Sequence, residues 1–284
     1  MSAIDVENAL AYVRQQGSEA CIISQAGRIT GEFFAAGFDG GTAHALYSGT
    51  KSFWGPLAIR ARRDGLLDLD EAVSDTIVEW RADPRKRRIT VRMLLSLTAG
   101  FAFGGVGATV PTYERALAVP LRGNPGAAFT YGGIPLQIFG ALLARKLAAQ
   151  KLTPHDYLRE RLLGPAGVVV QSWRTLKDGT SPLPTGAFVS AKNWLAYGRY
   201  ISDHRAEFAE CFVGSAANPR YGLGWWLQLK GAPADLFYAS GSGGQALYVV
   251  PLAQLVIAHF CRGRGYNHGA FLRRLFAPSS PRKR

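Results

Sequence analysis

Strand signals lie at the two ends of this 284-residue chain, and helical signals fill the stretch between them. Near the start, residues 20–24 and 29–34 are short apolar runs around the turn Gln25-Ala26-Gly27, the pattern of a hairpin. Near the end, residues 224–229, 236–239, 246–250 and 255–260 are four more runs joined by short turns, as in antiparallel sheets. A lone hairpin is marginal in water, so it needs the strands from the far end of the chain. The predicted architecture is α+β: one antiparallel sheet built from both termini and flanked by helices, with a mostly helical insertion. The chain then reads as a single unit, with its sheet region at about 1–50 and 205–284 and its helical region at about 51–204. A binding site is expected in the cleft between the two parts.

The helical signals are specific enough to place. Residues 4–16 carry apolar positions at helical spacing and stop at Gly17, a good terminator. Residues 54–63 form a second helix, followed by a turn and a short capped helix in 64–71. Thr90 caps an apolar run that Gly100 closes. A long apolar helix spans 134–149, with Pro135 tolerated in its first turn. Another begins near Ser190 and runs through Tyr200, and a closing helix covers 268–276.

Composition narrows the class of protein. Hydrophobic residues make up 48% and charged residues 19%, as in an ordinary globular protein. No stretch approaches the roughly 20 apolar residues that span a bilayer, so no membrane partner is predicted. The N-terminal segment carries Asp5 and Glu7 and lacks a basic-then-apolar leader pattern, which points to a cytoplasmic location. Cys21, Cys211 and Cys261 are far apart and read as reduced thiols. They have no metal-ligand spacing with the five histidines, so no metal or other cofactor is predicted. The net charge of +13 is spread along the chain. Its clusters, Arg85 to Arg88 and Pro281 to Arg284, read as a solvated loop and a tail, and no nucleic-acid partner is predicted.

The stretch that carries chemistry is Tyr47-Ser48-Gly49-Thr50-Lys51-Ser52-Phe53. Residues three apart share a helix face, so the Ser48 hydroxyl and the Lys51 amine can meet. A serine hydroxyl is a weak nucleophile until a base takes its proton, and a buried lysine can be that base. Alone, so short a match is more simply read as a helix start with Ser48 as N-cap and Lys51 in solvent. The same spacing recurs at Ser280-Pro281-Arg282-Lys283 in the tail. The rest of the chain decides between the readings.

Three ordered segments resemble the serine β-lactamase and DD-peptidase superfamily, on its class C and family VIII esterase side. Ser48-Gly49-Thr50-Lys51 fits the S-x-x-K motif. The stretch from Asn124 to Gly133 resembles the segment bearing Y-x-N or Y-x-S, with Tyr131 as its tyrosine. The stretch from Phe237 to Gln245 resembles the third motif, on a strand edge. Segments 64–70, 89–100 and 221–225 also resemble landmarks of that family, and the likeness runs over roughly residues 20–262. It implies Ser48 as nucleophile, Lys51 as general base and Tyr131 as acid/base partner. The oxyanion hole would be the backbone N–H groups of Ser48 and Ser242. Tyr200-Ile201-Ser202 and Tyr238-Ala239-Ser240 also fit Y-x-S, but lie out of order or inside another motif.

Two departures shape the expected substrate. The residue that should follow Tyr131 as Asn or Ser is Gly133. The third motif's usual Lys or His is Ala239, or Tyr238 in the neighbouring register, and neither can hold a carboxylate by charge. This resembles the esterases and 6-aminohexanoate-dimer hydrolases of the superfamily. The implied substrate is a small ester or amide, touched by Gly133, Ala239, Ser240, Gly241 and Gln245 with Phe103 and Trp225 along an apolar pocket. For whichever of Trp225 and Trp226 faces inward, core packing is an equal alternative. A β-lactamase or peptidase activity, or a retired ligand-binding protein, are the other readings. Gly104-Gly105-Val106-Gly107 follows a helix and lacks a Lys-Ser/Thr ending, so it reads as a rim loop rather than a phosphate loop. His259 and His268 have no serine or aspartate at suggestive spacing, which disfavours a Ser-His-Asp triad. Oligomeric state leaves no mark on the sequence.

Overall fold

The computed structural model describes residues 4–263 and 265–276. The basic segment from Ser280 to Arg284 lies outside the described residues. Helix α1 (Val6–Gln15) leads into β1 (Ser18–Gln25) and β2 (Arg28–Phe34), and Asp5 caps α1 by accepting from the Asn8 amide at 3.0 Å. A short strand β3 (Ala43–Ala45) precedes a 3₁₀ turn at Tyr47–Phe53, which runs directly into α2 (Trp54–Arg63). The middle of the chain holds α3 (Val91–Leu95), α4 (Tyr113–Ala118), α5 (Ile134–Leu147) and α6 (Pro154–Leu158). Strands β4 (Ser172–Trp173) and β5 (Ala187–Ser190) follow, then α7 (Ala191–Asp203). The last part supplies β6 (Trp226–Leu227), β7 (Phe237–Gly241), β8 (Gln245–Val250), β9 (Leu255–Cys261) and α8 (His268–Leu275).

The main sheet has the order β2-β1-β9-β8-β7-β6, and every neighbouring pair is antiparallel. Both termini do complete one sheet, with β1 pairing β9 from Gln25↔Leu255 to Ser18↔Cys261. The inner strands β1, β9 and β8 are buried along nearly their whole length, because each face of the sheet is covered. One face packs α1 and α8 through Tyr12, Val13, Phe271 and Leu275. The other packs α7 and the helical part through Trp194, Tyr197, Leu247 and Phe260. That two-sided cover explains why these strands read as continuous apolar runs rather than alternating ones. Edge strand β2 has one open face and is mostly exposed.

Several elements differ from expectation. A second sheet of order β3-β5-β4 stands in and beside the stretch read as helical. Its strands are two to four residues long, too short for a period-2 pattern to show. The Thr90 cap forms, accepting from the Met93 amide, but α3 ends at Leu95 because Leu97 turns left-handed at φ 59°. The run 224–229 is strand only at Trp226–Leu227, bracketed by positive φ at Gly224 and Gln228. Within the basic run, Lys86 is held by the Leu117 carbonyl at 2.8 Å and lies over the Trp80 ring, so it is not merely solvated. No helix among the described residues is long and apolar enough to cross a membrane. Cys21, Cys211 and Cys261 are buried and unpaired.

Trp194 joins three parts of the structure. It is fully buried, packs 5.0 Å from Phe260 of β9, and lies under Gly49 of the 3₁₀ turn. Trp194→Ala should cost about 3–5 kcal/mol, the range for truncating a buried large aromatic. A urea titration checks it: the midpoint should fall with the slope unchanged.

Candidate active site

The 3₁₀ turn places Ser48 and Lys51 on one face, as their spacing anticipates. Lys51 Nζ lies 3.0 Å from Ser48 Oγ and 3.3 Å from the Pro184 carbonyl. The turn is held from several sides. Ser52 Oγ donates to the Gly49 carbonyl at 2.7 Å, Tyr197 Oη to the Ser52 carbonyl at 2.8 Å, and Trp54 Nε1 to the Leu183 carbonyl at 2.7 Å. The Leu46 amide donates to the Ala187 carbonyl at 2.9 Å, and the Ala187 amide donates back to Thr50 Oγ1 at 3.3 Å. Segment 183–187 therefore grips the turn on both sides of Ser48. Tyr47, just before Ser48, has φ 46°, a conformation that costs a non-glycine residue free energy and persists only under such restraint.

Lys51 is 1% exposed. Burial strips water from its ammonium form and lowers its pKa to about 7. Among the described residues no carboxylate pairs with it to oppose this. Its Nζ also lies 4.9 Å from the centroid of the Tyr131 ring. Tyr131 is partly buried, stacked on Trp226 at 5.6 Å and edge-on to Tyr221 at 6.2 Å. Burial raises its phenol pKa above the ordinary value, while a hydrogen bond with Ser48 acts in the opposite direction. Ser48, Lys51 and Tyr131 are thus brought together, as the sequence analysis expected.

These groups stand beside an open cleft of about 660 Å³. Tyr47, Ser48, Phe103, Tyr131, Thr185 and Trp226 line one part, and Tyr238, Ser240, Gly241 and Ser242 line the part along β7. None of the described lining residues is an Asp, Glu, Lys, Arg or His. Ser242 lines the cleft together with Ser48 because β7 lies against the chain just ahead of the 3₁₀ turn. A Cβ built on Gly241 would lie 2.1 Å from the Leu46 carbonyl oxygen, so only glycine fits there.

Four residues expected to touch substrate are placed elsewhere. Gly133 is buried, and its amide donates to the Gly104 carbonyl at 2.8 Å. A Cβ there would fall 1.8 Å from the Gly105 carbonyl oxygen. The position is closed to any side chain and anchors the rim loop instead. Ala239 is 1% exposed and faces the core, while Tyr238 and Ser240 face the cleft. Trp225 is fully buried against Tyr197 and Phe237; Trp226, its neighbour, lines the cleft. Gln245 is buried, with its amide donating to the Ser242 and Cys261 carbonyls and accepting from the Cys261 amide. It shapes the turn that carries Ser242 and does not reach the cleft. Phe103, Ser240, Gly241 and Ser242 are where substrate could meet them.

Sequence reasoning missed Thr185, whose buried hydroxyl has no partner among the described residues, and the role of the Pro184 carbonyl. The only signal was the polar, proline-rich loop around them. It also missed that two histidines do meet serines: His259 with Ser18 at 2.7 Å and His268 with Ser240 at 3.2 Å. Their partners lie far away in sequence, and spacing along the chain could not find them. Among the described residues, no three His, Cys, Asp or Glu side chains are grouped to hold a metal ion.

An antiparallel sheet completed by both termini, a helical part beside it and a Ser–Lys–Tyr group in the cleft define the serine β-lactamase and transpeptidase-like class of proteins. The family model described as Beta-lactamase matches residues 25–277, and the chain belongs to that family of β-lactamase-fold hydrolases. A curated relative, the monacolin J acid methylbutanoyltransferase of Aspergillus terreus, is 28% identical over 202 residues, covering 60% of this chain and 48% of its own length. The chain thus spans about half the length of the curated relatives it matches. Among solved structures, EstCE1, described as a hydrolase with promiscuous acyltransferase activity, superposes with a TM-score of 0.77 at 17% identity, covering 95% of this chain and 96% of that one. A Bacillus anthracis protein named as a candidate 6-aminohexanoate-dimer hydrolase gives 0.68 at 14% identity, over 92% and 78%. At such identities these likenesses speak for the fold.

Gly241→Ala tests the contact that sets β7 against the chain ahead of Ser48. Forcing a methyl against the Leu46 carbonyl should destabilise the protein by about 1–3 kcal/mol, the usual cost of overpacking. The resemblance assigns the Ser242 amide to the oxyanion, and on that assignment the variant should lose ester turnover more than ester binding. Loss of stability with kcat unchanged would show that this contact does not shape the site.

Proposed function

We propose that this protein is a serine hydrolase that cleaves small neutral esters or amides through a covalent acyl-enzyme. The observation that carries the reading is the 3.0 Å contact between Ser48 Oγ and an amine buried enough to be half neutral near pH 7. In the proposed mechanism Lys51 takes the Ser48 proton as Oγ attacks the carbonyl carbon, forming a tetrahedral oxyanion. The amides of Ser48 and Ser242 stabilise that charge. Tyr131, hydrogen-bonded to Ser48, passes the proton to the leaving oxygen or nitrogen as the carbonyl–heteroatom bond breaks. Water then attacks the Ser48 ester with the same groups in reverse roles.

No charged side chain among the described residues lines the cleft itself, and the nearby Arg220 and Arg174 stand outside it, one beside Tyr238 and the other tied to the Gly107 carbonyl; this supports neutral substrates over penicillins or peptidoglycan. A cation that held a substrate carboxylate would contribute about 1.5–3 kcal/mol, or one to two decades in rate. The acyltransferase named among the relatives and the hydrolase with acyltransferase activity among the structures support acyl transfer through the same intermediate, with an alcohol replacing water. Small-molecule substrate, no nucleic acid and a cytoplasmic setting remain part of this reading.

Two experiments test it. A fluorophosphonate should label Ser48, and Ser48→Ala should lose the label and more than about 10³-fold of p-nitrophenyl butyrate turnover while keeping its fold. On the same wild-type protein, kcat/KM for that ester should exceed that for nitrocefin. Label on another serine, or nitrocefin turned over as fast as the ester, would refute the proposal.

The second experiment follows the lysine. Only neutral Lys51 accepts the proton, so kcat/KM should rise about tenfold per pH unit below pH 7 and level off above it. Lys51→Arg keeps the charge but cannot be deprotonated, so acylation should collapse at every pH. A flat profile across pH 6–8, or normal acylation by Lys51→Arg, would remove Lys51 from the base role.

A further inference from the structure

Behind the cleft runs a chain of four side chains that the mechanism above does not use. Ser240 Oγ, on the cleft wall, lies 3.2 Å from His268 Nε2. His268 Nδ1 lies 2.6 Å from Tyr248 Oη, which lies 2.9 Å from Tyr266 Oη. Strand β7 contributes the serine, β8 the first tyrosine, and α8 the histidine as its first residue. The imidazole is walled in by the rings of Tyr238, Tyr248 and Tyr266 at 5.5–5.8 Å. No carboxylate among the described residues touches it, so the group is not a Ser-His-Asp triad.

The order of donors along this chain follows from counting. Among the described residues, Tyr266 Oη has Tyr248 Oη as its hydrogen-bond partner and no other. Tyr266 is partly buried, and the protein offers its hydroxyl proton no acceptor but Tyr248 among the described residues, so Tyr266 donates to Tyr248. The Tyr248 proton then has one acceptor left, His268 Nδ1. A neutral imidazole with a lone pair on Nδ1 carries its proton on Nε2, and this proton points at Ser240 Oγ. Burial keeps the ring neutral, lowering its pKa to about 4. The helix N-terminus on which it sits disfavours the imidazolium further. With its oxygen accepting from His268, the Ser240 hydroxyl has its own proton free to turn toward the cleft. The opposite order would leave Tyr266 with no acceptor and make Ser240 spend its proton on the histidine.

We propose that Ser240 is a substrate-binding donor that selects esters carrying a second acceptor oxygen away from the scissile carbonyl, and that His268 is the positioning residue that frees its proton for that contact. Ser240 and Ser242 are two residues apart, about 6–7 Å along an extended chain. The second oxygen therefore sits several bonds from the carbonyl held by the Ser242 amide, in the acyl chain or in the leaving alcohol. This deepens the hydrolase reading of the same cleft and rests on it.

Two isosteric pairs test the proposal. One is p-nitrophenyl 4-oxopentanoate against p-nitrophenyl 4-methylpentanoate, and the other is 2-methoxyethyl butyrate against butyl butyrate. In at least one pair the oxygenated ester should have a kcat/KM higher by roughly two- to tenfold, the worth of one neutral hydrogen bond. Ser240→Ala should erase that preference, lowering kcat/KM for the oxygenated esters roughly two- to tenfold more than for the plain ones. His268→Phe should erase it too, and His268→Gln, whose amide N–H can donate to Ser240, should restore it in part. A disruption of α8 alone would instead lower all four esters together. The ¹⁵N shifts of the His268 ring, which need no turnover, should show the proton on Nε2 in wild type and a shift of that balance in Tyr248→Phe. Turnover of all four esters without any preference, or a proton found on Nδ1, would overturn the proposal while leaving the hydrolase reading intact. Failure of every ester in the wild type would instead strike the hydrolase reading itself.

Discussion

The structure of the site depends on one removal of water. Lys51 lies within the core, packed under the Tyr47–Phe53 turn, the 183–187 segment and the Tyr131 ring. An ammonium group there loses its hydration and gains no carboxylate in return, so its proton is held weakly. Everything around it serves that burial. The turn must be rigid enough to keep the amine at 3.0 Å from Ser48; its Ser52 carbonyl and Thr50 hydroxyl are tied to Tyr197 and Ala187, and the indole N–H of Trp54 just after it donates to the Leu183 carbonyl. The small second sheet, β3-β5-β4, is the brace that brings Ala187 to this place. Its contribution to the fold is minor, and its contribution to the geometry of the site is large.

How much of this was legible from residues alone varies with the range of the interaction. The terminal strands could be read because their apolar runs are long enough to show and their turns are marked by Gly and Pro. The Ser48–Lys51 pair could be read because both residues lie on one turn, where spacing is geometry. Tyr131 joined them only through resemblance, since 80 residues separate it from Lys51 and no local rule links them. The choice between Trp225 and Trp226 was open because a two-residue strand has no pattern from which to infer its inward face. Gly133 and Ala239 looked like missing binding groups. In the structure they are filled positions, one closed by the Gly105 carbonyl and the other by the core. Motif alignment gives the residue type, but it does not report which side of the backbone is free.

The histidines make the same point in the other direction. His44 meets Glu19 at 2.9 Å, His259 meets Ser18, and His268 meets Ser240. All three contacts join residues from different strands or from a strand and a helix. A search by spacing sees none of them, and the polar groups they satisfy would otherwise be buried without partners. These contacts sit on both sides of the sheet that carries Ser240, so the cleft wall is polar inside the protein and nearly neutral where it faces out.

The pairing of β1 with β9 has a consequence for how the protein is made. Ser24 finds its partner Val256 232 positions further along the chain. A ribosome adding about 5–20 residues per second needs on the order of 10–50 s to cross that gap. During that interval the first hairpin is complete on its β2 side and open on its β1 side, with Ile22 and Ile23 uncovered by any later strand. Loop closure over such a span is also entropically slow. The nascent hairpin therefore keeps an open apolar edge until β9, the last of the described strands, emerges to pair with it.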